Sequence, residues 1–148
     1  TQVLGEVSFV YAVAPHHPLA NAPEPLGDAL IRQHRAVAVA DTVTRGGGLS
    51  FGLLGGQDVF TVATMHDKLD VQLRGLGAGF VPDCMAHPFV QTGRLVVKAV
   101  ERPKRLVSLH YAWRATGNTT LGRAMQWWLT QLESPATRVA LLAHHRGV

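Results

Sequence analysis

Residues 61–82, TVATMHDKLDVQLRGLGAGFVP, decide the fold class because a strand, a helix and a second strand follow one another there without interruption. The β-branched and aromatic residues over 59–62 are typical of a strand. Thr64, with Asp67 three residues later, has the form of a capping box, in which the threonine oxygen accepts a backbone N–H at the start of a helix. A helix is therefore predicted to begin at Thr64.

The helical segment has one apolar stripe and stops at glycine. The stripe that a 3.6-residue period turns inward consists of Met65, Leu69, Leu73 and Leu76. The residues predicted to face solvent are Asp67, Lys68, Gln72 and Arg74. Gly75 and Gly77 end the helix, and residues 79–81 form the second strand. The unit is a βαβ motif, so the strands at 59–62 and 79–81 are predicted to be parallel neighbours.

Composition bounds the class of protein. The 148 residues allow one domain of ordinary size, and a hydrophobic content of 47% is enough for a core. The net charge of +4 includes only one short basic run, ERPKR at 101–105, which is too weak to indicate a nucleic-acid interface. The single cysteine, Cys84, fits a reducing, cytoplasmic compartment, although a secreted protein without disulfides would have the same content. No apolar run is long enough for a membrane span.

The rest of the chain alternates between strand-like and helix-like segments. Strands are predicted over 6–14, 35–40, 94–100 and 106–113, and helices over 27–34, 83–91 and 120–133. The residues that the last helix is predicted to turn inward are Leu121, Ala124, Met125, Trp128, Leu129 and Leu132. The tail is compatible with helix as far as Ala143. Alternating strands and helices indicate an α/β domain with a mostly parallel sheet.

In parallel α/β sheets, ligands bind beyond the carboxyl ends of the strands, often at helix N-termini. Thr42, Thr44 and Thr64 are predicted to lie there with hydroxyl groups beside free backbone N–H groups, which suits a carboxylate or another small polar anion. Phe80 would supply an apolar wall to the same cleft. Two alternatives stay open, in which Thr64 is only a helix cap and Phe80 is only a core residue of its strand.

Two histidine pairs and one cysteine also invite a chemical interpretation. His16/His17 and His144/His145 offer metal-ligand side chains, but no cysteine or acid stands at ligand spacing, so solvated loop histidines are favoured. Cys84 lies at a predicted helix start, where the dipole would depress the thiol pKa, with His87 as the nearest base. A packed structural thiol is nevertheless favoured, because no third orienting group is visible.

Glycine and tryptophan clusters have structural interpretations as well. The GLGAG run at 75–79 precedes a strand instead of following one, which is the wrong context for a dinucleotide-binding loop. Trp127 and Trp128, together with Trp113, could stack on a ligand. At helical spacing, however, Trp128 is assigned to the core and Trp127 to a half-exposed position or an interface.

Seven segments of the chain share their order and spacing with one known family. They are FVYAVAPHHPLA (9–20), AVAVADT (36–42), GLLGGQDVFTVATMHDKL (52–69), GLGAGFVP (75–82), TGRLVVKAVE (92–101), YAWR (111–114) and LGRAMQWWL (121–129). In these segments the chain resembles the effector-binding domain of the LysR-type transcriptional regulators. The resemblance covers roughly residues 5–133, and the order of the segments is more specific than any single one.

The resemblance implies a type 2 periplasmic-binding-protein-like fold, in which two α/β subdomains are joined by two crossovers and follow a winged helix-turn-helix. It implies that residues 1–15 end the first regulatory subdomain, 16–116 form the second, 117–134 return a helix to the first and 135–148 are a C-terminal tail. The chain would then hold mostly the second subdomain with a remnant of the first. Because Thr1 is not a natural start, a piece of a longer protein is expected, with uncovered apolar surface and self-association.

By this resemblance, the chain senses a small anionic or aromatic inducer and couples it to rearrangement of a homo-oligomer. DNA would be contacted only through a winged helix-turn-helix that is absent from this chain. No cofactor, metal or membrane is expected, and enzymatic activity is not expected because no nucleophile, base and orienting group occur together. The alternative is a solute-binding protein or a small α/β enzyme of related fold. The sequence upstream of Thr1 would discriminate between these classes.

Overall fold

The computed structural model of the chain describes residues 1–40, 53–114 and 120–144. The strands in these ranges are Gln2–Val13 (β1), Ala36–Val39 (β2), Val59–Val62 (β3), Gly79–Pro82 (β4), Val96–Lys98 (β5) and Arg105–Tyr111 (β6). The α-helices are Asp28–Arg32 (α1), Met65–Leu73 (α2), Asp83–Gln91 (α3), Arg123–Glu133 (α4) and Pro135–Ala143 (α5). A 3-10 turn at Pro18–Asn21 replaces part of the loop expected after β1.

β1 pairs antiparallel with three other strands. Its C-terminal half pairs with β4 from Phe9 to Ala12 and with β5 from Tyr11 to Val13. Its N-terminal half pairs with β6 from Phe9 back to Gln2. The last residues of β1, from Tyr11 onward, are buried, whereas the half that pairs with β6 is partly exposed. β1 therefore belongs to the core sheet at one end and to a separate two-stranded arm at the other.

β2 connects β3 to the sheet that contains β4, β1 and β5. β2 and β3 are parallel, and β2 also lies beside the start of β4, where Val37 N donates to Ala78 O and Ala78 N donates to Arg35 O, each at 3.0 Å. The bridge between Ala36 and Ala78 is parallel as well. The strand order is therefore β3–β2–β4–β1–β5, with β1 antiparallel to both of its neighbours.

The predicted βαβ unit is confirmed in its elements but wrong in its neighbours. β3 and β4 run parallel, yet β2 lies between them, because the crossover through α2 is long enough to pass over one strand. The four residues of β2 are mostly buried, which suits an inner position in the sheet. The prediction of a mostly parallel sheet is also wrong for β1, since every ladder of that strand is antiparallel.

Both ends of α2 lie where the sequence predicts. Thr64 is the N-cap, and its Oγ1 accepts a hydrogen bond from Asp67 N at 3.1 Å. Gly75 has φ of +74°, a conformation that glycine adopts without steric cost and that ends the helix. These local signals therefore determine the bounds of the helix.

The inner face of α2 differs from the predicted stripe. Lys68 and Gln72 are buried, with 5% and 0% of their surface exposed, whereas Leu76 is 48% exposed. Gln72 Nε2 donates to Ala12 O at 2.8 Å and to Gly79 O at 3.1 Å. The predicted stripe is confirmed for Leu69, which is buried, and for Met65 and Leu73, which pack beside it. The inner face is wider than predicted, because backbone carbonyls of β1 and β4 accept hydrogen bonds from Gln72.

Two apolar clusters form the core. The first consists of Tyr11, Val13, Leu19, Leu26, Ile31, Ala78 and Phe80. The second consists of Ala12, Leu69, Val81, Met85, Ala86 and Leu95. Alternate residues of β1 and β4 enter opposite clusters, as the two-residue period of a strand requires. The sheet is therefore covered on both faces.

The last helices lie outside these clusters. α5 packs on β1, with Leu142 seated over Gly5, and α4 packs mainly on α5. No residue of α4 is buried, so the predicted inward face of that helix is wrong, and Trp127 and Trp128 are 56% and 57% exposed. None of the helices in the described ranges combines the length and the apolar character needed to cross a bilayer.

Gly77, between α2 and β4, packs tightly against β2. A Cβ there would lie 2.6 Å from Val37 Cγ2 and 3.1 Å from Arg35 O. We expect Gly77→Ala to lower the free energy of unfolding by about 1 to 3 kcal/mol, the usual cost of overpacking. Denaturant unfolding measures this, with Gly55→Ala as the control, because a Cβ at Gly55 meets nothing within 4 Å. Equal losses in the two variants would contradict the packing role of Gly77.

The buried Lys68 makes stability depend on pH. Burial lowers the pKa of Lys68 from its ordinary 10.5 to about 8. The unfolded chain therefore binds more protons than the folded chain between about pH 8 and pH 10.5, so stability rises with pH across that window. At neutral pH the charge costs roughly 3 kcal/mol.

We therefore expect Lys68→Met to raise the free energy of unfolding at pH 7 by up to about 3 kcal/mol and to flatten its rise above pH 8. Unfolding curves at several pH values, taken for the variant and the parent, measure both effects. Lys104→Met is the matched control, because Lys104 is exposed. A loss of stability in Lys68→Met at pH 7 would show that the buried ammonium is stabilising.

Candidate functional site

The loop between β5 and β6 opens a space beside β1. β5 leaves β1 at Lys98, opposite Tyr11, and β6 joins it at Arg105, opposite Phe9. The six residues 99–104 therefore stand against a single residue of β1, and they must bulge away from the sheet. The space that this leaves lies beside the aromatic side chains of β1 and β4.

This space is a cavity of about 400 Å³. The lining residues that matter for its chemistry are Tyr11, Phe80, Asp83, Lys98, Arg102 and Lys104. An adjoining cavity of about 520 Å³ shares Phe80 and residues 102–104 and continues to Leu106. Both volumes lie in the range of small-molecule sites.

Phe80 is at once a core residue and a wall of both cavities. It is 7% exposed, belongs to the first apolar cluster and meets Tyr11 edge to face, with ring centroids 5.2 Å apart. The two interpretations of Phe80 that the sequence leaves open are therefore compatible. Whether it contacts a ligand remains a prediction.

Three cations and one acid line the smaller cavity, and two of the cations are paired with acids outside the lining, since Lys98 Nζ lies 3.5 Å from Glu24 Oε1 and Arg102 pairs with Asp28. Arg102 donates from Nε to Asp28 Oδ1 at 3.1 Å, and its side chain is 29% exposed. Lys98 is buried and donates from Nζ to the carbonyl oxygens of Ala20 and Ala22, at 3.1 and 2.9 Å. Lys104 is exposed at the rim. Asp83, at the start of α3, is the acidic residue of this lining.

Tyr11 places a hydroxyl group in the same lining. Its side chain is 4% exposed, and burial raises the pKa of Tyr11 above its ordinary value, while the nearby charge of Arg102 acts in the opposite direction. The hydroxyl is therefore protonated at neutral pH and is available as a hydrogen-bond donor.

The three threonines of the predicted site have different outcomes. Thr64 is exposed, caps α2 and lines neither of the cavities that contain Phe80. Thr42 and Thr44 lie outside the described residues. The joint role of the four predicted residues therefore stays a prediction.

Tyr11, Arg102 and Lys104 are the residues of this site that sequence reasoning missed. The signal in the sequence is the run ERPKR at 101–105, whose charge alone is too weak to indicate a nucleic-acid interface. Its position directly after the end of β5 was the more informative property, because strand ends are where α/β domains bind ligands. The closeness of Arg102 to Tyr11 depends on the bulge and had no local signal.

The predicted solvated histidines differ from one another. His16 is exposed, and its Nε2 lies 3.2 Å from Arg74 O. His17 is buried, contrary to prediction, and its Nδ1 accepts a hydrogen bond from Leu19 N at 3.1 Å, which caps the 3-10 turn. Burial first, and then the neighbouring His34 and His16, lower the pKa of His17. Within the described ranges, no three His, Cys, Asp or Glu side chains form a group suited to a metal ion.

Cys84 packs against the second apolar cluster, as a structural thiol does. Burial is the main influence on its thiol and raises the pKa of Cys84, so the expectation that the helix dipole would depress this pKa is wrong. The GLGAG run also serves packing, since Gly77 lies against Val37 and Gly79 leaves room for the stem of Lys68.

Comparison with known proteins assigns the chain to a family. The family model of the LysR substrate binding domain matches residues 1–136. The chain is 36% identical over 129 residues to the uncharacterized HTH-type transcriptional regulator YeeY of Escherichia coli (strain K12), which covers 87% of this chain and 41% of that protein. It is 35% identical over 123 residues to the probable HTH-type transcriptional regulator YhaJ of the same organism, covering 83% and 40%. The chain thus spans about two fifths of these curated relatives.

Solved structures show the same fold at lower identity. The C-terminal domain of a probable LysR family transcriptional regulator from Rhodococcus sp. RHA1 matches with a TM-score of 0.62 at 18% identity, covering 89% of this chain and 66% of that one. The full-length LTTR LysG from Corynebacterium glutamicum matches with a TM-score of 0.62 at 16% identity, covering 93% and 44%. The predicted type 2 periplasmic-binding-protein-like α/β fold is confirmed by these likenesses. This chain belongs to the LysR substrate-binding domain family of transcriptional regulators.

Proposed function

We propose that this chain is the effector-sensing part of a LysR-type DNA-binding regulator and that it binds a small anionic or aromatic inducer beside Phe80. The observation that supports this proposal is the pair of adjoining cavities between β4 and the loop at 99–104, with aromatic walls and a surplus of cations. Relatives of the chain are transcriptional regulators by name, which favours a sensor over an enzyme or a solute-binding protein.

The division into subdomains is part of the same proposal. Residues 1–15 would end the first regulatory subdomain, 16–116 would form the second, 117–134 would return a helix to the first, and 135–148 would be the tail. The two-stranded arm of β1 and β6 then corresponds to the crossovers. The exposed surface of α4 supports this division, because a helix with no buried residue needs a partner that lies elsewhere.

Inducer binding would change DNA binding by shifting the populations of two arrangements of the regulator. An inducer held between the two subdomains would favour one arrangement of a cytoplasmic homo-oligomer over another. The attached winged helix-turn-helix domains, which make the contacts with DNA, would change their spacing accordingly. The chain itself would need neither a cofactor nor a membrane for this role.

Thr64, together with Thr42 and Thr44, is the other part of the proposed effector site, and its role can be tested by substitution. It carries a hydroxyl at the N-terminus of α2, where the helix dipole favours an anion. In the intact regulator, we expect Thr64→Ala to weaken the response to inducer while operator affinity stays unchanged. Titrating inducer and operator separately into both proteins measures the two effects.

The loss of the cap needs its own control. Removing it costs about 0.5 to 2 kcal/mol of stability, so the comparison uses protein shown to be folded at the assay temperature. Thr92→Ala is a matched control, because Thr92 is exposed and its hydroxyl donates to Pro88 O at 3.1 Å, near the end of α3. An unchanged inducer response in Thr64→Ala would reduce Thr64 to a helix cap.

The exposed face of α4 predicts self-association of the isolated chain. Trp127 and Trp128 meet edge to face at 4.9 Å, and Met125 beside them is 39% exposed. A contiguous apolar surface of this kind usually marks an interface. We expect sedimentation to show association that rises with concentration and falls in a variant with both Trp127→Gln and Trp128→Gln. Leu76→Gln, at an exposed leucine elsewhere, should leave association unchanged, and a clean monomer at high concentration would contradict the prediction.

A further inference from the structure

We propose that His17 and His34 form an acid-sensitive latch, which holds the turn after β1 closed only while the His17 imidazole is neutral. The turn is the 3-10 segment Pro18–Asn21, and the two histidines lie in the segments that follow β1 and α1. The proposal does not depend on the proposed function, because it concerns no ligand. Two geometric features of this junction support it, and a third gives the latch its consequence for the fold.

The first feature is the hydrogen bond that caps the turn. Nδ1 of His17 accepts this bond from Leu19 N at 3.1 Å. Since a backbone N–H only donates, Nδ1 carries no proton, and the neutral ring keeps its proton on Nε2. Protonation of the ring would place a donor opposite a donor, and the ring is only 6% exposed, so water has little access to replace the lost bond. The cap and a charged His17 therefore exclude one another.

The second feature is the presence of two further imidazoles at the junction. The ring centroid of His34 lies 5.4 Å from that of His17. The backbone of His34 is held in place, because Gln57 Nε2 donates to its carbonyl oxygen at 2.9 Å. His16 precedes His17 in the chain, and its Nε2 lies 3.2 Å from Arg74 O at the end of α2. In acid both neighbours gain positive charge, so each of them opposes the charging of His17.

The remaining charged groups of the neighbouring elements leave this balance unchanged. Arg32, in the last turn of α1, is exposed and positive. The other charged side chains around the junction form the ion pairs Arg35–Asp58, Arg74–Asp70 and Lys98–Glu24. The pKa of His17 is accordingly lowered from its ordinary 6.5, by burial first and then by the charges of His34 and His16. The latch is therefore fully stable above about pH 6.5 and loses stability as the pH falls from there toward the lowered pKa.

The third feature is what the turn holds together. Leu19, whose amide is the capped group, is 1% exposed and belongs to the first apolar cluster. The carbonyl oxygens of Ala20 and Ala22 accept hydrogen bonds from Lys98 Nζ at 3.1 and 2.9 Å. The turn thus joins the end of β1 to the core and to β5. Opening of the cap would loosen Leu19 and, with it, the attachment of β5.

The test compares the isotopically labelled 148-residue chain at about pH 7.5 and about pH 5 by NMR. Hydrogen exchange at the Leu19 amide, corrected for the intrinsic pH dependence of exchange, measures the equilibrium constant for opening of the turn. We expect this constant to rise by about fivefold or more in acid, because the cap is lost when the ring is charged. The imidazole nitrogen signals of His17 should show an unprotonated Nδ1 at neutral pH.

Two variants and one control assign the effect. His17→Asn keeps a capping oxygen but has no titratable group, so opening of its turn should not change between the two pH values. His34→Gln replaces a half-buried imidazole with a neutral group and should reduce the acid-induced rise to roughly half. His110→Asn is the matched control, because His110 is exposed on β6, and this variant should respond to acid like the parent.

The outcomes that would overturn the latch are distinct from simple misfolding. A constant that does not change with pH in the parent would overturn it, as would an equal rise in the parent and in folded His17→Asn. A protonated Nδ1 at neutral pH would contradict the capping role of His17. An undiminished rise in His34→Gln would remove His34 from the latch, and this comparison decides the proposal even if His17→Asn does not fold.

Discussion

The pairing of β1 with three strands is the constraint on which the rest of the structure depends. One end of this strand closes the core sheet between β4 and β5, and the other end pairs with β6. β5 and β6 each pair antiparallel with β1. The chain that joins β5 to β6 therefore has to move away from β1 and then return to it. That detour creates the cavity beside Tyr11, so the candidate site is a direct consequence of how one strand distributes its partners.

The helix that faces this strand is held by hydrogen bonds as well as by apolar contact. Gln72 bridges the carbonyl groups of Ala12 and Gly79, which are opposite one another in the ladder of β1 and β4. Each such bond contributes about 1 kcal/mol and also specifies a position, which apolar packing alone does less well. The cost is the neighbouring ammonium of Lys68, whose burial lowers its pKa. The orientation of α2, and with it the position of Thr64, therefore depends on Gln72 as well as on the apolar contacts of Leu69.

Lys98 and Arg102 make different contacts because they occupy different places in the fold. Lys98 donates to carbonyl oxygens of the segment after β1 and pairs with Glu24 of that segment at 3.5 Å, and so it ties the segment to the sheet. Arg102, four residues later, is engaged at one nitrogen only. The difference arises because Lys98 lies inside a ladder, whereas Arg102 lies on the bulge.

The sequence by itself determined the elements whose signals are local. Thr64 and Asp67 set the start of α2, Gly75 set its end, and Asp83–Gln91 was predicted with its bounds, because caps and backbone conformations involve only neighbouring residues. The family, too, was evident from the order of segments. Tertiary structure alone decided that β2 lies between β3 and β4, that Lys68 and Gln72 face inward, that Trp128 is exposed and that Arg102 approaches Tyr11. Each of these features depends on contacts between residues that are far apart in the sequence. The periodicity of a single segment contains no information about such contacts.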